Sequence, residues 1–283
     1  MSGGPNRVRA TFWLLEAPDS LAQQSRREPD GTGLGYFEED GTPVVRKEPL
    51  AAYEDQRFAQ EAKEICSRTF VAHVRYASTG GLKPENTHPF EQQGRLFAHN
   101  GVIEDLPELE RELGDAMSIV RGDTDSERYF ALITREIQHT GDVERGIVSA
   151  VDWIARNLPV FALNFVLVTP SEVWALRYPE VHELFVLERA AGGGTGSRHL
   201  DHASARASIR VRSGDLAGMP AVIIATERMD EDPGWRALEP GQLVRVDGRL
   251  GTTVRTAFEE LPAHQLTLSD LGVKAASQAP STA

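Results

Sequence analysis

Two apolar, strand-like runs constrain the first half of the chain most, Phe70 to Tyr76 and Leu96 to Ala98. Both stop at polar residues that strand alternation does not call for. The first delivers Arg75 and then Ser78, Thr79, Gly80 and Gly81 at a turn. The second stops at His99-Asn100-Gly101, ahead of the acidic, helix-like segment Ile103 to Leu113. A strand ending in Asn-Gly sets a side-chain amide donor beside a freely approachable backbone N–H, the two parts of an oxyanion hole. An Arg at a neighbouring strand end supplies a fork for a carboxylate. Farther on, Asp123 to Glu127 reads as a helix start, so Asp125 is a candidate partner for an ammonium. As a set, these residues describe a pocket for a zwitterion with a reacting carbonyl.

Each residue also has a plainer account. Arg75 can be a surface ion pair, Asn100-Gly101 a hairpin turn, and Asn86-Thr87 ordinary loop. Asp123 or Thr124 with Glu127 is a capping box, which explains Asp125 and Glu127 partly by helix initiation. A helix N-terminus is also where a site is often built, so the two accounts are compatible. Order and separation along the chain favour the pocket.

Composition narrows the function classes. With 283 residues, 40% hydrophobic and 25% charged, the chain is ordinary globular material for one large domain or two modest ones. A formal charge of −12 with no basic stripe argues against nucleic acid as a partner. The single cysteine, Cys66, excludes a disulfide framework and points to a reducing compartment. No apolar run reaches transmembrane length, and MSGGPNRVRA lacks the apolar core of a signal peptide, so a cytoplasmic protein without a membrane partner is expected. Of the eight histidines, His73, His88 and His99 fall near strand ends. None shows zinc-site spacing, so no metal is expected. His73 and His88 are expected to orient backbone around the pocket instead.

Along the chain, Val8 to Leu15 is a helix candidate, interrupted at Pro18, with Asp19 or Ser20 capping a second short helix through Ser25. Asp30 to Phe37 reads as a glycine-threaded strand pairing with Val44 to Arg46 across the Glu39-Asp40-Gly41 turn. Glycines 31, 33 and 35 suggest close approach by another segment; they lack the spacing of a dinucleotide loop. Phe58 to Ser67 is an amphipathic helix candidate carrying Cys66 as a core residue. Thr124 to Gln138 and Ile147 to Asn157 have helical periodicity. Val160 to Thr169, Val173 to Arg177 and Leu184 to Glu188 read as strands, and Ala190 to Ser208 as a mobile hairpin or loop. Val222 to Thr226 and Leu243 to Val246 close the sheet, with a turn at Pro240-Gly241. Residues 1–262 are taken as one domain, and 263–283 as a disordered tail. This pattern supports an α+β fold with a mixed or antiparallel sheet.

The strings HVRYASTGG, NTHPF, FAHNG and GDTDSE, in this order and separation, resemble the class II glutamine amidotransferase domain of the N-terminal-nucleophile hydrolases, and the stand-alone bacterial members in particular. VIIATERMDEDPGWRALEPGQLVRV is similar to the closing part of that domain, so the likeness runs from about Ser20 to about Val246. It implies a four-layer αββα sandwich of two stacked antiparallel sheets, no cofactor, and hydrolysis of the glutamine side-chain amide with release of ammonia. By motif match, Asn100 and the Gly101 N–H would hold the oxyanion. Arg75, helped by Ser78 and Thr79, would hold the substrate α-carboxylate, and Asp125 would pair with its α-amino group. Ser78 stands where the family commonly has Thr, and Thr79 where several members have His.

The departure lies at the front. The family opens with Met-Cys, whose thiol attacks and whose own amine is the base, on a short apolar strand. This chain opens Met1-Ser2-Gly3-Gly4, so the first strand is expected to be missing, and Gly3-Gly4-Pro5 is expected to keep Ser2 out of the sheets and the pocket. Two readings follow: a start lying upstream with a Met-Cys, or a glutamine-binding relative without hydrolytic power. A γ-glutamyl conjugate amidohydrolase of thiol metabolism is a further alternative, since the γ-glutamyl end is the same. A partner synthase that accepts the ammonia is left open.

Overall fold

The structure, a computed structural model, describes residues 1–76, 81–191, 201–203, 210–212 and 219–272. Its strands in chain order are β1 Gly31–Phe37, β2 Pro43–Glu48, β3 Phe70–Arg75, β4 Phe90–Gln92, β5 Arg95–Asn100, β6 Pro159–Val160, β7 Asn164–Val168 and β8 Val173–Leu176. They continue with β9 Phe185–Arg189, β10 Asp201–Ala203, β11 Arg210–Arg212, β12 Ala221–Ala225, β13 Arg236–Ala237, β14 Gln242–Val246, β15 Thr252–Thr256 and β16 His264–Gln265. The α-helices are α1 Leu21–Gln24, α2 Gln56–Glu64, α3 Leu106–Leu113, α4 Asp125–Thr140 and α5 Val143–Asn157.

The six-stranded sheet runs β15-β14-β8-β7-β5-β4, antiparallel throughout. The opposing layer is made of two three-stranded pieces, β2-β1-β3 and β12-β9-β13. Three apolar strata hold these layers. Val71, Leu96, Ala98, Val168, Val222 and Val244 pack between the sheets. Phe97, Tyr129, Phe130, Ile147, Phe165 and Leu167 join the six-stranded sheet to α4 and α5. Phe12, Trp13, Leu14, Leu34, Phe70 and Ile223 join the divided layer to the N-terminal helical turns. Helices outside and sheets inside make the four-layer αββα sandwich.

The glycine-threaded strand pairs as its sequence suggests, with Leu34 opposite Arg46 and Tyr36 opposite Val44. A Cβ on Gly33 would lie 1.8 Å from the His88 carbonyl oxygen, so the chain around His88 packs directly on β1. Gly241 takes φ +78 at the expected turn, and a Cβ there would lie 1.8 Å from the Phe258 carbonyl oxygen.

Other expectations are corrected. Val8 to Leu15 is not one helix: Val8 bridges Ser67, and only Phe12–Glu16 coils, as a π-helical turn whose Phe12, Trp13 and Leu14 are buried. Cys66 lies beyond α2, half-buried, because the helix stops at Glu64 and the chain turns extended at Ile65 to meet Val8. The strands at Val222 and Leu243 close different sheets. The tail does not begin at residue 263: β16 pairs in parallel with β6, the Leu266 N–H donates to the Val160 carbonyl at 2.8 Å, and Leu271 is buried against Val102, Phe161 and Ala162. Residues 273–283 lie outside the described residues, as does most of 190–208, of which Asp201–Ala203 pairs with Arg210–Arg212.

The front end is the most informative correction. Ser2 bridges Thr69, just before β3, and Val222 in β12, antiparallel to both. Ser2 exchanges backbone hydrogen bonds with Val222 at 2.8 and 2.9 Å, and the Gly3 N–H donates to the Arg68 carbonyl at 2.8 Å. Pairing needs only the extended backbone of Met1 to Gly3, and the chain turns away after it, with Gly4 at φ +61. Among the described residues no helix is long and apolar enough to cross a membrane.

Candidate active site

The ends of β3 and β5 and the start of α4 meet at a cavity of about 310 Å³ whose wall includes Arg75, His99, Asn100, Gly101 and Asp125. The strand ends project there because β5 lies beneath β3 in the facing sheet and α4 begins beside the end of β5. Ser78 and Thr79 lie outside the described residues.

Arg75 closes β3 and is buried. Burial pulls its guanidinium below the ordinary value, while Asp30 and Asp125 pull it back up. Its Nη1 donates to the Gly81 carbonyl at 3.3 Å. Asp125, the first residue of α4, is 3% exposed. Its Oδ2 accepts from the Ile103 N–H at 2.9 Å, which ties the helix start to the chain leaving Gly101. Thr124 caps the helix, accepting from the Glu127 N–H at 3.3 Å. The Glu127 carboxylate instead accepts from the N–H groups of Arg121 and Gly122, at 3.1 and 2.6 Å. The capping residues and the ammonium candidate are therefore different side chains, so helix initiation and site-building share one turn.

Asn100 is the last residue of β5, directly opposite Asn164. Gly101 is fixed by close approach: a Cβ there would lie 1.9 Å from the Ala162 carbonyl oxygen. That same oxygen accepts from His99 Nε2 at 3.0 Å, and Ser126 Oγ lies 2.9 Å from Nδ1. A carbonyl can only accept, so Nε2 carries the proton and Nδ1 accepts from the Ser126 hydroxyl. Burial lowers the His99 pKa, against the raising influence of Asp125, in keeping with a neutral ring. His99 thereby fixes the backbone beneath Asn100 and Gly101.

His73 and His88 stack, with ring centroids 4.3 Å apart. Burial pushes His73 down to about 4 and His88 well below the ordinary range, so both are neutral at pH 7. Among the described residues no group of three metal-capable side chains occurs.

Three participants were not legible as such. Asn86, read as loop, is fully buried. Its Nδ2 donates to the Gly81 carbonyl at 3.2 Å and to Asp123 Oδ2 at 3.3 Å, and its Oδ1 accepts from the Asp123 N–H at 2.8 Å. It joins the carbonyl that holds Arg75 to the lead-in of α4. Asn164 ties the Asn100 corner to the His182 carbonyl and the Tyr178 N–H, at 3.1 and 2.8 Å. Met1 lines the cavity, whereas the Ser2 hydroxyl is taken up locally, accepting from the Gly4 N–H at 3.2 Å. The NTHPF string was the available signal for Asn86; no signal marked the others.

The model of the family "Glutamine amidotransferases class-II" matches residues 18–270. The chain belongs to the class II glutamine amidotransferase family. Its relatives include a protein of Haemophilus influenzae named "Putative glutamine amidotransferase", 27% identical over 223 residues that cover 76% of this chain and 72% of that protein. The glutamine–fructose-6-phosphate aminotransferase (isomerizing) of Mycobacterium bovis is 30% identical over 144 residues, half of this chain and 23% of that enzyme. Among solved structures, a glutamine aminotransferase class-II domain protein from Silicibacter pomeroyi superposes with TM-score 0.54 at 16% identity, covering 81% of this chain and 92% of that one. The Bacillus subtilis glutamine phosphoribosylpyrophosphate amidotransferase gives TM-score 0.55 at 18% identity, covering 85% and 46%. At these identities the two structures speak for the amidotransferase fold alone.

Proposed function

We propose that the cavity binds the γ-glutamyl group of glutamine and that its polar end is the amide-cleaving site of a class II glutamine amidotransferase. The observation that carries this reading is the meeting of Arg75 and Asp125, one buried cation and one buried acid from separate segments, at one cavity with Asn100 and Gly101. Arg75 takes the α-carboxylate, with Ser78 and Thr79 as supporting hydroxyls, and Asp125 takes the α-ammonium. The reacting carbonyl then lies against the Asn100 amide and the Gly101 N–H, donors that stabilise charge as it develops on oxygen. The attacking group in this chemistry is a terminal residue whose own amine is the base; the Ser2 hydroxyl accepts from the Gly4 N–H. A γ-glutamyl conjugate presents the same two charged ends and is the second substrate class. The ammonia passes to water or to a partner synthase, in the cytoplasm.

The test is calorimetric titration with glutamine. Arg75→Ala should weaken binding roughly tenfold to a hundredfold, the loss of one charge-assisted contact worth roughly 1.5–3 kcal/mol. Unchanged affinity in a folded Arg75→Ala variant would refute the assignment, and tighter binding of γ-glutamyl amides than of glutamine would favour the conjugate.

A further inference from the structure

Buried histidines surround the cavity, and three of them are accounted for. His99 has both ring nitrogens engaged, with Ser126 and Ala162. His73 and His88 stack on one another, with both nitrogens of His88 sealed away from any partner. His182 differs: it lines the cavity with Asn100, Gly101 and Asn164, and is 5% exposed. Neither of its ring nitrogens has a hydrogen-bond partner among the described residues, and neither is sealed as those of His88 are. We propose that His182 is the specificity-determining residue for the amide nitrogen, accepting a hydrogen bond from the carboxamide N–H of glutamine.

The placement is built from both ends of the residue. The His182 carbonyl accepts from Asn164 Nδ2 at 3.1 Å and from Arg177 Nε at 3.0 Å, and Asn164 stands directly opposite Asn100 in the ladder of β5 and β7. The imidazole meets the Phe161 ring edge to face, with centroids 5.4 Å apart and planes at 80°. Phe161 directly precedes Ala162, whose carbonyl excludes a side chain at Gly101. Backbone and ring are therefore both fixed relative to the Asn100 corner, the pre-organisation that a recognition contact needs.

The chemistry of the ring suits the task. Burial, and then His99, lowers the His182 pKa to about 4, so the ring is neutral at pH 7 and offers one N–H and one acceptor nitrogen. The inference rests on the glutamine reading, in which Arg75 takes the carboxylate, Asp125 the ammonium, and Asn100 with Gly101 the carbonyl oxygen. The amide nitrogen is then the one polar group of the substrate left to place. It only donates, so it needs an acceptor. Two neighbouring side chains are already engaged: Asn164 Oδ1 accepts from the Tyr178 N–H, and His99 is bonded at both nitrogens. A γ-glutamyl ester has no N–H to give at that point, so the contact selects amides over esters.

The experiment titrates the full chain calorimetrically with glutamine and with glutamate γ-methyl ester, which is also neutral at its γ end. His182→Phe keeps a ring against Phe161 and removes the acceptor. It should weaken glutamine binding by about threefold to tenfold, the loss of one neutral hydrogen bond, and leave the ester unchanged. His182→Gln, whose side-chain carbonyl can accept, should bind glutamine more tightly than His182→Phe does. Equal weakening of both ligands, or of neither, would overturn the proposal. Should His182→Phe fail to fold, nitrogen NMR of the imidazole in the unaltered chain decides. The acceptor nitrogen should move upfield with glutamine and stay in place with the ester; a ring indifferent to glutamine would overturn the assignment. Absence of glutamine binding by the unaltered chain would remove the substrate reading and this inference with it, whereas glutamine binding that needs Arg75 but ignores His182 would remove this inference alone.

Discussion

Replacing Asn86 tests the coupling between the two charged ends of the pocket. The side chain is fully buried and makes three hydrogen bonds, to segments 5 and 37 residues away. The Gly81 carbonyl that it holds is the one that accepts from Arg75, and the Asp123 backbone that it holds leads into Asp125. In Asn86→Ala all three bonds go, at about 1 kcal/mol each, for a stability loss of about 3 kcal/mol. If half of that loss is felt as misplacement of Arg75 against Asp125, glutamine binding weakens by about tenfold. Asn86→Asp keeps the shape, removes the donors and sets a second carboxylate beside Asp123, so its stability loss should be larger than that of the alanine variant. Urea unfolding read by tryptophan fluorescence gives the first quantity, and calorimetric titration of glutamine onto the folded variant gives the second. Full loss of stability with unchanged glutamine affinity would refute the coupling and leave Asn86 a clamp of the loop alone.

Gly101→Ala sets a Cβ 1.9 Å from the Ala162 carbonyl oxygen and should cost about 1–3 kcal/mol of stability in urea unfolding, with the Asn100 corner displaced. The Met1 amine falls from its ordinary 8.0 to about 5 in the folded protein, so its contribution is fully present above pH 8 and lost as pH falls through 5. The span is on the order of 4 kcal/mol, and Nα-acetylation should remove that part of the pH–stability curve. Glu28 carries the opposite sign: burial first, then Glu227, raises it from 4.5 to about 7, so its contribution is present below pH 4.5 and lost as pH rises through 7. Glu28→Gln should flatten that limb in thermal melts taken from pH 4 to 8.

The strands and the site corners were legible because each announces itself locally. Gly31 to Phe37 alternates glycine with larger residues up to a turn, and Asn100-Gly101 ends an apolar run with two residues a strand does not favour. Such signals say where a strand stops, not what it stops against. Asn86 looked like loop because its partners are distant in sequence. Asn164 reads as the ordinary first residue of a strand until it is found opposite Asn100. Val8 to Leu15 has helical composition, but Val8 is claimed by a bridge to Ser67 and the coil begins only at Phe12. Gly3-Gly4-Pro5 looked incompatible with a sheet, yet pairing involves only Met1 to Gly3 and leaves the turn to Gly4. In each case a partner 37 or more residues away decided the outcome, and only the folded chain brings those partners together.

The segment after residue 262 has a mechanical role. Gln265 Nε2 donates to the carbonyls of Val160 and Phe161, and the next residue, Ala162, supplies the carbonyl that fixes His99 and excludes any side chain at position 101. The carboxyl-terminal strap thus buttresses the corner where the reacting carbonyl would sit, from behind and through one short link. A tag fused after Gly272 should leave that corner undisturbed, whereas trimming the chain back to Leu261 would remove its brace while sparing every residue that faces the ligand.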